Sequence, residues 1–402
     1  MIFYYLLVLS LPLVNHPIFG AQIAGVTVVK YVGLVCLAYA AFSLLGRRRS
    51  PEFLGTAQAR AFLAFFCLVV VSYVLHGPGV AGVGWGALTG YISHVGFFFT
   101  TVVLVTSLER LRRVMLVAVG SMALASLYVL REWWGGSAVY GADYRPGYVT
   151  GDPNFFAASA LVCLPMAFVW TLEGRPRWER IYCLGCLLLG LAGTMVAASR
   201  GGFVGLLAGL TLLTWHSRYR IKALTVVGGI MAMALLISPT SPVKRLLDPT
   251  HGDVEARDAR FQLWTAGLRM VKAHPLLGVG IGNFKTAAGA YGGIVGDVQF
   301  ISHNGYLDVA AELGLPALLA LLAVMFFSFR TASKIRRQTR LNGPPVLHQT
   351  ARGIEAGLLG FAVALFFVSG LFLKLFWLMV FSSMCLPQLQ ARTRTEEAAR
   401  AA

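Results

Sequence analysis

Between Ile237 and Asn304 the chain reads SPTSPVKRLLDPT at 238–250 and ARFQLWTAGLRMVKAHPLLGVGIGNF at 259–284, and apolar sequence resumes at His303-Asn304. This polar interval interrupts an otherwise oily sequence, and that contrast decides the fold. Apolar residues fill 57% of the 402 positions and charged residues 13%, with a mean hydropathy of +0.70. A water-soluble domain does not carry that balance. The sequence therefore predicts an all-α integral membrane protein with one long, partly helical loop outside the bilayer.

Outward from the loop, a span takes roughly 20 apolar residues. On that rule about twelve spans follow, near 2–16, 20–46, 60–76, 84–106, 112–131, 154–172, 181–199, 202–216, 221–238, 304–329, 353–370 and 371–388. Residues 1–238 then hold the first nine, 239–302 the loop, 303–388 the last three and 389–402 a polar tail. The apolar N-terminus lacks a basic leader and a small-residue cleavage site, and reads as a retained first span.

The formal charge of +17 would suggest nucleic acid in a soluble protein, but 22 of the 34 Lys and Arg fall in the tail, at Arg60 and in the short loops that follow even-numbered spans. Cations placed so are topology signals, and they assign these loops and both termini to the cytoplasm. The loops at 76–83 and 131–154, the Ser199-Arg200-Gly201-Gly202 corner and the long loop then face outward. The six cysteines all lie in apolar runs, without zinc-like spacing, so neither disulfides nor a thiolate metal site is expected.

Within the loop, apolar residues at 261, 263, 264, 268, 270 and 271 predict an amphipathic helix over Asp258 to His274, ended by turns at Gly278, Gly280 and Gly282. Asp152-Pro153-Asn154 has the composition of a helix start, with Asp or Asn as the cap. Arg200 has no acidic residue within twenty positions. It is either an exposed hairpin corner or a planar fork gripping a phosphate, with Gly201-Gly202 admitting the ligand's head. Arg260 could contact a phosphate, as could its neighbours Arg257, Arg269 and Lys272; each could equally be a solvated face or a lipid contact. His303 beside Asn304 is the imidazole best placed to take a proton at neutral pH, or a packing residue at the membrane boundary. Asp308 and Glu312, one turn apart, could orient His303 or pair with a cation. No outward carboxylates form a tight metal-binding pair, and no P-loop, GxSxG or HExxH is present.

The Ser-Arg-Gly-Gly corner, the segment Arg260-Phe261-x-x-Trp264-x-x-Gly267-Leu268-x-Met270, the following HPLLGVGIGNF and HNGYLDVAAELGLPALL at 303–319 together resemble the O-antigen ligase family, which also holds O-antigen polymerases and protein O-oligosaccharyltransferases. The most specific part is His303-Asn304, nine residues, then Gly314-Leu315-Pro316. Ala317 departs from the Gly, Thr or Tyr usual at the next place. The resemblance implies a GT-C-like architecture and a metal-independent, inverting glycosyl transfer without cofactor. It also implies a location at the periplasmic face of a Gram-negative inner membrane, among membrane lipids. The implied donor is a glycan on undecaprenyl pyrophosphate and the implied acceptor is lipid A-core. Carried over, Arg200 and Arg260 match arginines that hold the diphosphate and His303 matches the essential histidine. Tyr144, Arg145, Asp152 and Asn154 resemble donor-side contacts, and Asn304, Arg257 and Arg269 complete the candidate binding set. A polymerase extending lipid-linked repeat units is the nearest alternative, and a protein O-oligosaccharyltransferase is close in motif. A lipid-linked glycan transporter would need ionisable residues along a path, for which only Lys30, Glu355 and Lys374 offer themselves inside spans.

Overall fold

The computed structural model describes residues 1–23, 25–45, 52–79, 82–140, 144–172, 176–216, 251–292, 301–341 and 343–401, with isolated positions between 220 and 247. Apart from a small hairpin, β1 (Gln22–Ile23) paired antiparallel with β2 (Val26–Thr27), its regular elements are helical. Among the described residues, six helices are long and apolar enough to cross a membrane: α3 (Ala57–His76), α4 (Val83–Leu104), α5 (Leu108–Tyr140), α6 (Pro153–Leu172), α7 (Arg177–Val196) and α12 (Leu315–Gln338). Around them lie α1 (Ile2–Ser10), α2 (Val28–Leu45), α8 (Arg200–His216), α13 (Pro345–Ala364) and α14 (Lys374–Ala401). The chain is a multi-pass membrane protein.

The centre is α6, buried continuously from Phe156 to Trp170, because its sequence is apolar on every face and can be solvated nowhere. Helix α13 packs on both α6 and α8. Small residues set that contact: a methyl on Gly205 would lie 2.5 Å from the Gly360 carbonyl, and one on Gly209 2.8 Å from that of Ala356. Close backbone approach is how helices gain dispersion energy where lipid offers no hydrophobic contrast. Glu355, a transport candidate by sequence, is instead tied to α12, accepting from Arg336 Nε at 2.6 Å and from Ser333.

Four expectations change. The span at 304–329 is broken at Gly314 into α11 (Gly305–Leu313) and α12. Gly314 adopts φ +83°, and a side chain there would lie 2.3 Å from the Leu276 carbonyl. Pro316, in the first turn of α12, needs no N–H partner there. The loop at 131–154 begins later, since α5 runs on to Tyr140; its 33 residues span about 50 Å, longer than a bilayer core. The region 2–16 is helical only over Ile2–Ser10. The tail at 389–402 continues α14 to Ala401 rather than forming a separate end. The span expected at 221–238, and the loop at 239–250 and 293–300, fall largely outside the described residues.

The expected amphipathic helix is α9 (His251–Ala273), seated on α11 through Leu263, Met270, Phe284 and Ala311. Gly278, Gly280 and Gly282 follow with φ of +66°, +99° and +75°, a left-handed run that only glycine adopts without strain. The short helix α10 (Phe284–Ala287) starts directly after it. Glu312 of α11 accepts the Gly282 and Phe284 N–H groups, each at 3.0 Å. It therefore holds the loop on the bundle, and among the described residues it makes no hydrogen bond to His303 and no ion pair.

Candidate functional site

At the end of the bundle where α7 turns into α8, the backbone passes through Ala198 at φ +50°, a conformation that costs an alanine free energy and persists only when held by its surroundings. Three residues hold it. Ser199 Oγ accepts the Gly202 N–H at 3.3 Å as the cap of α8 and donates to Asn154 Oδ1 at 2.9 Å. Arg145 donates through Nη2 to the same Asn154 oxygen at 3.2 Å and through Nε to the Ala197 carbonyl at 3.1 Å. Asp152 is the cap of α6, accepting the Asn154 N–H at 2.7 Å. Arg200 then stands in the first turn of α8, where the helix end already carries partial positive charge.

Arg200 opens into a cavity of about 280 Å³ shared with Arg145, Asn154, Arg257 and Arg260, and walled by Gly201, Val204, Phe261, Trp264 and Phe367. Four guanidinium groups from three segments converge there, and no carboxylate is among the described lining residues. The fit is to a planar or tetrahedral anion with an apolar appendage: forked donors meet the oxygens, and the aromatic wall takes the rest. Gly201 serves packing as well as access, since a methyl there would meet Phe367 Cβ at 2.5 Å; Gly202 faces Ala157 at the same distance.

His303 does not line the cavity itself but lies close enough for the charge of Arg260, on the cavity wall, to act on its ring. The Trp264 indole on the same wall donates to the Ser302 carbonyl at 2.9 Å, which fixes the turn that His303 occupies at φ +54°. Ser302 Oγ bonds Asp308, and Asn304 caps α11 by accepting the Tyr306 and Leu307 N–H groups, each at 3.1 Å. The nine-residue spacing in the sequence is thus one short helix between an Asn cap and a Gly stop. His303 Nδ1 is buried without a hydrogen-bond partner among the described groups. Burial pushes the imidazole down to about 4, the Arg260 charge adds to this, and the Asp152 carboxylate opposes it. The ring is neutral at physiological pH and can accept a proton.

The structure therefore brings together Arg145, Asn154, Arg200, Arg257 and Arg260, with His303 and Asp152 within electrostatic reach of one another. It does not bring in the remaining candidates. Tyr144 folds back over Gly136 and donates to Glu132 at 2.7 Å, positioning the segment that carries Arg145. Arg269 donates to the Tyr291 carbonyl at 3.0 Å, tying α9 to the turn after α10. Asn304 spends its side-chain oxygen on the cap. Sequence reasoning overlooked Phe367, hidden in an expected span, and took Ser199 only as part of the corner rather than as the cap of α8; the signal for Trp264 was its place in the arginine segment.

Residues 185–322 match the family model described as O-antigen ligase. The match takes in Arg200, Arg257, Arg260, Trp264 and His303, while Arg145, Asn154 and Phe367 lie outside it. No curated protein matches the chain.

Proposed function

We propose, from the match of residues 185–322 to the O-antigen ligase family model, that the chain is an inverting, metal-independent glycosyltransferase of that family, joining a glycan carried on undecaprenyl pyrophosphate to lipid A-core at the periplasmic face of the inner membrane. The observation that carries the reading is the arginine cavity beside a neutral imidazole. A polyprenyl diphosphate is already an activated leaving group, so its departure needs charge stabilisation more than proton donation. Arg200 and Arg260 supply that charge, and Arg145 and Arg257 complete the electropositive wall. His303 takes the proton from the acceptor hydroxyl as its oxygen attacks the anomeric carbon opposite the diphosphate. The sugar–phosphate C–O bond breaks, the lipid diphosphate leaves with the electron pair, and the configuration inverts.

No carboxylate among the described residues bonds the His303 ring, so its basicity is not raised as in a serine-protease triad. In this reading the donor supplies the missing charge: the diphosphate offsets the arginines and raises the affinity of His303 for a proton when substrate is present. The ligase reading is tested by complementing a ligase-null and, separately, a polymerase-null strain, with the lipopolysaccharide ladder on a gel as readout. Restored capping in the first strain supports it. Rescue of chain length in the second strain alone makes the enzyme a polymerase.

A further inference from the structure

Among the described residues, His303 is one of two outside glycine with a positive φ, the other being Ala198. In that left-handed region the Cα–Cβ bond points elsewhere than it would in ordinary extended or helical backbone, so the turn itself decides where the imidazole is aimed. Such a conformation lasts only where its surroundings hold it. The residues around His303 are accordingly tied to other segments. The Trp264 indole of α9 donates to the Ser302 carbonyl, the Leu365 and Val368 carbonyls accept the Gly305 N–H at 2.8 and 3.1 Å, and the Tyr306 hydroxyl donates to the Ala362 carbonyl at 2.7 Å.

Those bonds flank the turn, and a side chain closes it. Ser302, fully buried, accepts the Asn304 N–H on its Oγ at 2.9 Å and so bridges directly across His303. Its single hydroxyl proton has two acceptors in reach, Asp308 Oδ1 and the Asn304 carbonyl, the latter at 3.0 Å. A carboxylate is the stronger acceptor, so the proton goes to Asp308 and a lone pair of the Ser302 oxygen stays turned toward the Asn304 N–H. Asp308 stands in the first turn of α11, where the helix end favours a negative charge. The relay from Asp308 through Ser302 to Asn304 thus ties the turn around His303 to the body of α11.

We propose that Asp308 is a positioning residue for the transfer: through the Ser302 hydroxyl it fixes the turn that aims the His303 imidazole at the acceptor hydroxyl. This rests on the glycosyl-transfer reading above. Asp308 bonds Ser302 rather than the ring, and it works by holding the base where the reacting atoms must meet within a narrow range of distance and angle. Without its carboxylate, the Ser302 proton passes to the Asn304 carbonyl, so the fold survives while His303 loses its fixed direction.

The test compares Asp308→Ala and Asp308→Asn with the wild type, as purified full chains in detergent, by three readouts. These are transfer kinetics, binding of a short-chain prenyl diphosphate, and the rate at which diethylpyrocarbonate acylates His303, followed by peptide mass against the exposed His274. Asp308→Ala is expected to lower kcat on the order of a hundredfold, to leave diphosphate affinity unchanged, and to be acylated severalfold faster at His303 but not at His274. Asp308→Asn, whose amide oxygen still accepts from Ser302, is expected to recover most of kcat and the slow acylation. Ser302→Ala breaks the same relay and is expected to reproduce every change seen in Asp308→Ala, so the test does not hang on the folding of one variant. A wild-type kcat in Asp308→Ala overturns the proposal. So does a loss of diphosphate affinity that matches the loss of transfer, which marks general damage to the site, and so does an asparagine variant as impaired as the alanine one. The acylation readout needs no substrate: if the wild type transfers glycan to no acceptor while the acylation pattern holds, the glycosyl-transfer reading falls and the hold of Asp308 on the turn stands. Unchanged acylation in Asp308→Ala of an active enzyme sinks the role of Asp308 alone.

Discussion

Lowering pH should expose the state of His303 directly. Burial and the Arg260 charge hold its imidazole at about 4, against the ordinary 6.5. At pH 5 about nine-tenths of such rings stay neutral, whereas about 3% of unperturbed ones would. The acid limb of kcat/KM, which reports the free enzyme, therefore belongs near pH 4. The acid limb of kcat reports the donor complex, where diphosphate charge favours the imidazolium, and belongs at higher pH. Removing Arg260 takes away a cation, so Arg260→Ala should move the kcat/KM limb up; Asp152→Asn should move it down. Stability carries the same sign. The unfolded imidazole binds its proton at 6.5 and the folded one only at about 4. Stability is therefore lost as pH falls through that window, at up to roughly 1.4 kcal/mol per pH unit, and His303→Ala should flatten the loss. The assay is initial-rate transfer in detergent from pH 3.5 to 8 with fluorescently labelled acceptor, alongside thermal unfolding over the same range. A kcat/KM limb at 6.5 that ignores both substitutions would refute this account of the base.

Glu312→Ala leaves the Gly282 and Phe284 N–H groups without their acceptor and should destabilise the protein by about 1–3 kcal/mol, seen as a lowered melting temperature that Glu312→Gln partly restores; an unchanged melt would show that the carboxylate is dispensable. Gly205→Ala drives a methyl to 2.5 Å from the Gly360 carbonyl and should cost about 1–3 kcal/mol, while Gly185→Ala, which meets nothing within 4 Å, serves as the control that must not move. Transfer should persist in excess chelator; its loss and recovery on adding Mg²⁺ would contradict the metal-independent scheme.

Much of this was legible in the sequence because the signals were local. The polar interval, the spacing from Asn304 to Gly314 and the isolation of Arg200 in apolar sequence each mark a feature that the fold then uses. What stayed hidden depends on contacts between distant segments. Hydropathy runs unbroken through 304–329, so the stop at Gly314 shows only when Leu276 is seen against it. Nor does sequence distinguish a binding asparagine from a capping one: Asn154 lies in the cavity wall, while Asn304 is consumed by α11. Glycines 201 and 202 read as room for a ligand, yet both also receive a neighbouring side chain. Trp264 looks like part of an amphipathic stripe, and only its bond to Ser302 shows that it couples the arginine helix to the histidine turn.

The central claim is that a guanidinium fork grips the donor diphosphate, and binding of a short-chain prenyl diphosphate to the purified protein tests it most directly. The account predicts that the wild type prefers the diphosphate to the corresponding monophosphate. It also predicts that Arg200→Lys, which keeps the charge but loses the fork, weakens diphosphate binding by roughly tenfold or more. Equal affinity in the wild type and in Arg200→Lys would contradict it.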